Sequence, residues 1–186
     1  MDLPKRPPLL RNREYSTATS VMSLITHRGP WDSHSRQYKI LRFLESYLDT
    51  LDDNRMRTTP CTTFFSPNAV LHNPKGDVYL SGSHVWAWMM RLFAPFDSIT
   101  HDIVEVRVIP ETEGRVVVYG EFVRHFRVKG ERMDIVSPIF CIITIGPAEC
   151  EGGTEGLQIY ETSVFWDTSI LSRYPKRKEE QEQQRT

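Results

Sequence analysis

Between residues 35 and 51 apolar side chains recur at spacings of three and four. Tyr38, Leu41, Leu44, Tyr47, Leu48 and Leu51 share one face, with Ser33 or Ser35 available as N-cap, and this pattern predicts an amphipathic helix. Over 57–65 the signal divides: Pro60 suits the first turn of a short second helix, whereas Thr58, Thr59, Thr62 and Thr63 are poor helix formers. A short strand over 69–73, a turn at Asn73-Pro74-Lys75-Gly76 and a returning strand over 78–80 come next. Ser81-Gly82-Ser83 opens a helix from about 84 to 93, whose heavy face is Trp86, Met89, Met90 and Phe93 and which stops at Pro95.

Beyond that proline the period changes from helical to alternating. Strands are predicted over 98–109, 115–128 and 132–145, joined by Pro110-Glu111-Thr112-Glu113-Gly114 and Lys129-Gly130-Glu131, and a final strand over 157–167 follows the loop 146–156. Helices followed by a bent antiparallel meander make an α+β domain. Centring the first turn on Thr112 sets His101 opposite Val123, with His125 on the diagonal, about 7 to 8 Å away at the backbone. That register gathers Ile99, His101, Ile103, Glu105, Val117, Tyr119, Glu121, Val123 and His125 on one face. The other face holds Val104, Val106, Val108, Val116, Val118, Phe122 and Phe126, each gaining roughly 1.5 to 3 kcal/mol on burial. Both faces are partly apolar, so both are expected to be covered, one by helices around a polar-lined cavity and one by a second subunit. A one-residue slip would part the two histidines.

The 186 residues suffice for one domain, expected over 33–172 between an N-terminal arm, 1–32, in which Val21 to Ile25 can dock, and a charged tail, 173–186. Lys and Arg number 23 against 24 Asp and Glu, and no basic stripe is interleaved with aromatics, so nucleic acid is not the expected partner. Cys61, Cys141 and Cys150 form neither a metal motif nor a disulfide framework, which points to a reducing, cytoplasmic setting. No run approaches the ~20 apolar residues of a membrane span, and no signal peptide is expected. Phosphate-binding glycine loops, a GxSxG elbow and His-x-His or His-x3-His metal spacings are absent from the sequence, so no metal is expected.

Several phrases carry a resemblance. They are Tyr47-Leu48-Asp49-Thr50-Leu51-Asp52-Asp53, Phe65-Ser66-Pro67-Asn68-Ala69-Val70-Leu71-His72-Asn73-Pro74, Leu80-Ser81-Gly82 and Tyr160-Glu161-Thr162-Ser163-Val164-Phe165-Trp166-Asp167. With the order of elements, over about 35–170, they resemble the NTF2-like superfamily, particularly its SnoaL-like polyketide cyclase and isomerase branch and scytalone dehydratase. The resemblance implies an NTF2-like (cystatin-like) α+β cone, in which three helices close a curved antiparallel sheet over a deep pocket. It also implies a homodimer through the convex sheet face, and chemistry without metal or cofactor. Thr100-His101 and Arg124-His125-Phe126-Arg127 look like the settings of two pocket histidines in scytalone dehydratase, which implies that both histidines face the cavity. Asp52 is similar to the family's helix aspartate, with Leu51 where a tyrosine adjoins it. Ser137 is similar to a pocket serine, but Ile139 replaces the nearby asparagine. Asn73 stands where the ketosteroid isomerase branch has its general-base aspartate, which argues against that proton shuttle.

The residues thus nominate His101 and His125 as general acid and base, because imidazole both gives and takes protons near neutrality, with Asp52 or Glu121 orienting one of them. Structural histidines, and a solvated helix end for Asp49, Asp52 and Asp53, are the plainer alternatives. Glu105 is expected to form a salt bridge, with Arg107 or Arg124 as partner. Tyr47, Phe64, His72, Trp86, Met89, Phe93, Phe140, Tyr160 and Trp166 are candidates to wall a pocket for a hydrophobic small molecule, or else to pack the core. The expected function is a cofactor-independent isomerase, cyclase or dehydratase acting on a polycyclic polyketide or terpenoid intermediate of secondary metabolism. A non-catalytic NTF2-like ligand- or protein-binding module is the main alternative, and an ester or epoxide hydrolase a third.

Overall fold

The computed structural model describes residues 24–130 and 134–170. The expected tail 173–186, most of the arm 1–32 and Glu131 of the second hairpin turn lie outside the described residues. Two α-helices, α1 (Lys39–Asp52) and α2 (Gly82–Phe93), accompany seven strands: β1 (Ile25–Arg28), β2 (Phe65–His72), β3 (Val78–Leu80), β4 (Phe96–Pro110), β5 (Val116–Val128), β6 (Asp134–Pro147) and β7 (Leu157–Phe165). They form one sheet in the order β1-β4-β5-β6-β7-β2-β3.

Helix α1 follows its sequence pattern, burying Ile40, Leu41, Phe43, Leu44, Tyr47, Leu48 and Leu51. It starts later than the periodicity predicts. Asp32 Oδ1 accepts the Ser35 backbone N–H at 2.6 Å while the Asp32 N–H donates to Ser35 Oγ at 2.9 Å, tying Ser35–Gln37 into a separate 3-10 turn. Tyr38 is extended between that turn and the helix. Helix α2 begins after Ser81, whose Oγ accepts from the His84 N–H, and turns Val85, Trp86 and Met89 inward. Gly82 is required where it stands: a Cβ there would meet the Ser66 carbonyl oxygen at 2.5 Å, so the backbone of α2 rests directly on β2.

Three helices were expected, and the described residues contain two. The candidate second helix after Pro60 is a single 3-10 turn, Cys61–Thr63, as its threonines favour. The sheet is also mixed rather than antiparallel throughout, because β2 pairs with β7 in parallel. These two strands are distant in sequence, and no local pattern announces their meeting. Residues 25–28, within the expected arm, are an edge strand paired with β4.

The β4–β5 hairpin decides which side chains point inward. Its register is centred on Glu113, with Pro110 opposite Val116 and Val106 opposite Gly120. Val104 then stands unpaired between Ile103, opposite Phe122, and Glu105, opposite Glu121. This bulge adds one residue to β4 and shifts its inward set. Ile99, His101 and Ile103 consequently share the helix-covered face with Val106, Val108, Val116, Val118, Phe122, Arg124 and Phe126, whereas Val104 is 46% exposed on the opposite face. The expected register fails here: Arg124, not Val123, is the partner of His101, and His125 faces Thr100 and Asp102 on the outside.

Candidate active site

Asp52 is the last residue of α1, the negative end of the helix macrodipole, where a carboxylate is disfavoured. His101 compensates for that placement. Asp52 Oδ2 accepts the backbone N–H of His101 at 3.1 Å, and Oδ1 lies 2.5 Å from His101 Nδ1. On the other side of the ring, Arg124 Nε donates to His101 Nε2 at 2.7 Å. Only an imidazole protonated at Nδ1 and bare at Nε2 satisfies both contacts, so the chain Asp52–His101–Arg124 fixes a neutral tautomer. Burial, reinforced by the Arg124 charge, pushes the His101 pKa down to about 4 despite the opposing pull of Asp52. Its side chain is 1% exposed.

His101 and Arg124 border a cavity of about 50 Å³ between α1, α2 and the sheet. Its wall is mostly apolar: Leu48 and Leu51 from α1, Met89 and Phe93 from α2, Phe122 and Cys141 from the sheet. Thr162, Val164 and Trp166 reach it from one face at the end of β7. Burial raises the Tyr47 hydroxyl and lifts the Cys141 thiol to about 11, so both stay protonated at neutral pH. Thr162 Oγ1 and Trp166 Nε1 are buried without a hydrogen-bond partner among the described residues.

No family model matches the chain. No curated protein matches it. Solved structures do. A candidate scytalone dehydratase from Novosphingobium aromaticivorans superposes with a TM-score of 0.56 at 12% identity, over 72% of this chain and 85% of its own. The hexachlorocyclohexane dehydrochlorinase LinA-type3 from Novosphingobium barchaimii gives 0.56 at 8% identity, over 73% and 91%. Nuclear transport factor 2 from Cryptosporidium parvum gives 0.54 at 14% identity, over 74% and 98%. This chain has the NTF2-like fold.

Within that fold the structure brings together part of the nominated set. Asp52 and His101 are bonded, and Tyr47, Met89, Phe93 and Trp166 line the cavity. Phe64 and Trp86 are buried but stand behind it, packed on Tyr47 and Phe65, and the Trp86 indole donates to the Met56 carbonyl. His125 pairs with Asp102 at 2.9 Å on the outer face of the sheet, and Glu121 is exposed there. His72 pairs with Glu161 at the surface. Phe140 packs between Tyr119 and Phe165, and Tyr160 lies under Arg115 with its hydroxyl donating to the Pro147 carbonyl. None of these five reaches the cavity of the NTF2-like fold, because the bulge and the strand alternation turn them outward. Glu105 is paired with Arg28 and Arg107.

Arg124 is the residue that the sequence reading passed over as a pocket group. A signal for it existed: in Phe122-Val123-Arg124-His125-Phe126 the arginine, not the histidine, shares the period-two face of the two phenylalanines.

Proposed function

We propose that this protein is a cofactor-independent acid–base enzyme of the SnoaL-like kind, with His101 as the proton-transferring group and Asp52 as the residue that orients it. The observation that carries the reading is the buried His101, held by the partly exposed Asp52 and opening on an apolar cavity. Nδ1–H is held by the carboxylate, which leaves Nε2 as the nitrogen that receives a proton, and the imidazolium so formed is stabilised by Asp52. The reaction class is isomerisation, cyclisation or dehydration of a ring compound, a polyketide or terpenoid intermediate, by removal of a proton from carbon. Dehydratase and dehydrochlorinase structures share the fold, and both names describe eliminations. A cavity of about 50 Å³ is smaller than a ring needs, so binding requires flexible wall residues such as Met89 and Leu92 to give way.

That small cavity also favours the second reading, a non-catalytic binding module. The exposed apolar side chains Val104, Ile109, Val136 and Phe165 make the outer sheet face the proposed homodimer surface under either reading. The deciding experiment is deletion of the gene with metabolite profiling, followed by feeding the accumulated compound to purified protein. Wild type and His125→Ala turn the compound over and His101→Ala does not. Equal turnover by His101→Ala overturns the enzyme mechanism, and an unchanged metabolite profile favours the module.

A further inference from the structure

Arg124 is a buried guanidinium with no counter-ion in contact among the described residues. Its one hydrogen bond among the described residues is the one from Nε to His101, and the salt bridges among those residues do not include it. The rings of Phe93 and Phe126, at 5.3 and 5.6 Å, offer their faces but no acceptor. A guanidinium has five N–H donors and keeps its charge, so leaving it buried and nearly unanswered is costly. Thr162 Oγ1 and Trp166 Nε1, on the same cavity wall, have no partner among the described residues either. The ionisable groups whose fields reach Arg124 are Asp52, Tyr47 and Cys141, and the last two are neutral near pH 7. The single acceptor that Arg124 does hold is the lone pair a base needs, and a base so engaged takes no proton from carbon.

We propose that Arg124 is a latch on His101, released when the carbonyl oxygen of a substrate bearing an acidic C–H, such as a ketone, replaces Nε2 as its acceptor. This rests on the reading of His101 as the base. The ketone oxygen takes the Arg124 N–H, and Nε2 is freed beside the adjacent C–H. The C–H electron pair becomes a C=C bond, the C=O pair moves onto oxygen against the guanidinium, and the proton rests on Nε2. Returning that proton to another carbon of a conjugated enolate completes an isomerisation. Returning it to a β-hydroxyl, which leaves as water while the C=O bond re-forms, completes a dehydration. Thr162 and Trp166 stand as further donors to substrate oxygens. The coupling explains why a base with so low an affinity for protons is placed beside a cation: the ketone draws the cation away in the same event that presents the acidic proton.

The test uses protein labelled with 15N in histidine, read by long-range proton–nitrogen spectra. In wild type the His101 Nε2 signal is that of an accepting nitrogen; in Arg124→Met the His101 titration midpoint rises by about one unit or more as the cation and its hydrogen bond are removed. Arg124→Gln is the second variant should the methionine protein not fold. In wild type, 2-tetralone shifts the Nε2 resonance toward that of a free lone pair, and tetralin, the same ring system without the oxygen, does not. An unmoved midpoint in both variants, or no ketone-dependent shift, overturns the latch. Solvent deuterium exchange at the carbons next to the 2-tetralone carbonyl separates the two ideas. Loss of catalysed exchange in both His101→Ala and Arg124→Met supports both. Loss in His101→Ala with wild-type exchange in Arg124→Met leaves the base standing and removes the latch. Exchange that persists in His101→Ala removes the base itself.

Discussion

His101 and Arg124 are direct partners across the β4–β5 ladder, and the bond between their side chains runs along the buried face of the sheet at 2.7 Å. Asp52 grips the opposite side of the ring from a helix end 49 positions away in sequence. Asp52 and Arg124 thus bracket a neutral imidazole, one holding each ring nitrogen, and each member of the row depends on the others.

Asp52→Asn keeps the size of the side chain but removes its charge and the fixed demand for a proton on Nδ1. We expect kcat to fall by roughly 10²- to 10⁴-fold, the usual range for losing the set-up of a general acid–base group. Steady-state kinetics with the natural substrate, alongside circular dichroism to confirm the fold, checks this. A fall of less than threefold contradicts it.

His101 also couples stability to pH. Its pKa is about 4 in the folded protein against 6.5 for an unperturbed histidine, so between those values the unfolded chain binds a proton that the native state refuses. Stability from this group is fully present above pH 6.5 and is lost as pH falls towards 4, on the order of 3 kcal/mol in all. Urea unfolding at pH 7, 5.5 and 4.5 should show a steeper decline for wild type than for His101→Asn. Parallel declines would show that other groups dominate.

On the outer face the expectation is opposite. His125 meets Asp102 in solvent, and such pairs contribute about 0 to 1 kcal/mol. His125→Ala and Glu121→Gln should leave turnover within about twofold of wild type and stability within about 1 kcal/mol. A larger loss of kcat in His125→Ala would place that ring in the chemistry after all.

Gly82→Ala tests the contact of α2 with β2. The added methyl meets the Ser66 carbonyl oxygen and Phe65 Cβ, neither of which swings aside as a flexible side-chain end does. Destabilisation of about 1 to 3 kcal/mol is expected, measured by denaturant titration.

Met89→Ala probes the cavity wall. Removing a buried thioether should cost about 2 to 5 kcal/mol and enlarge the space beside Tyr47 and Phe122. The same variant should bind tetralin more tightly than wild type does. Calorimetry reads both effects, and unchanged affinity would mean that the site has collapsed around the gap.

Much of this architecture was legible in the chain. The three-and-four spacing of Leu41, Leu44, Leu48 and Leu51 specifies α1, and the alternation after Pro95 specifies the long strands, because each element buries one face and its period records which. Asp52 and His101 were both nominated, and the structure bonds them. The partner on the far side of the ring was not legible, since strict alternation through Val104 assigns His101 to the face of His125. A bulge leaves no periodic trace: Val104 is an ordinary strand residue in type, and what sets it apart is the lack of a cross-strand partner. Pairing of β2 with β7 was equally hidden, being a contact between remote segments.

The unpaired Val104 has a bearing on how such a site arises. A single codon separates a hairpin that buries His101 beside Arg124 from one that turns it to the solvent, with every residue of the outer half-strand following it. Insertions and deletions at that point of β4, rather than substitutions among the pocket side chains, are the changes able to exchange Ile99, His101 and Ile103 for Ser98, Thr100 and Asp102 on the inner face in one step.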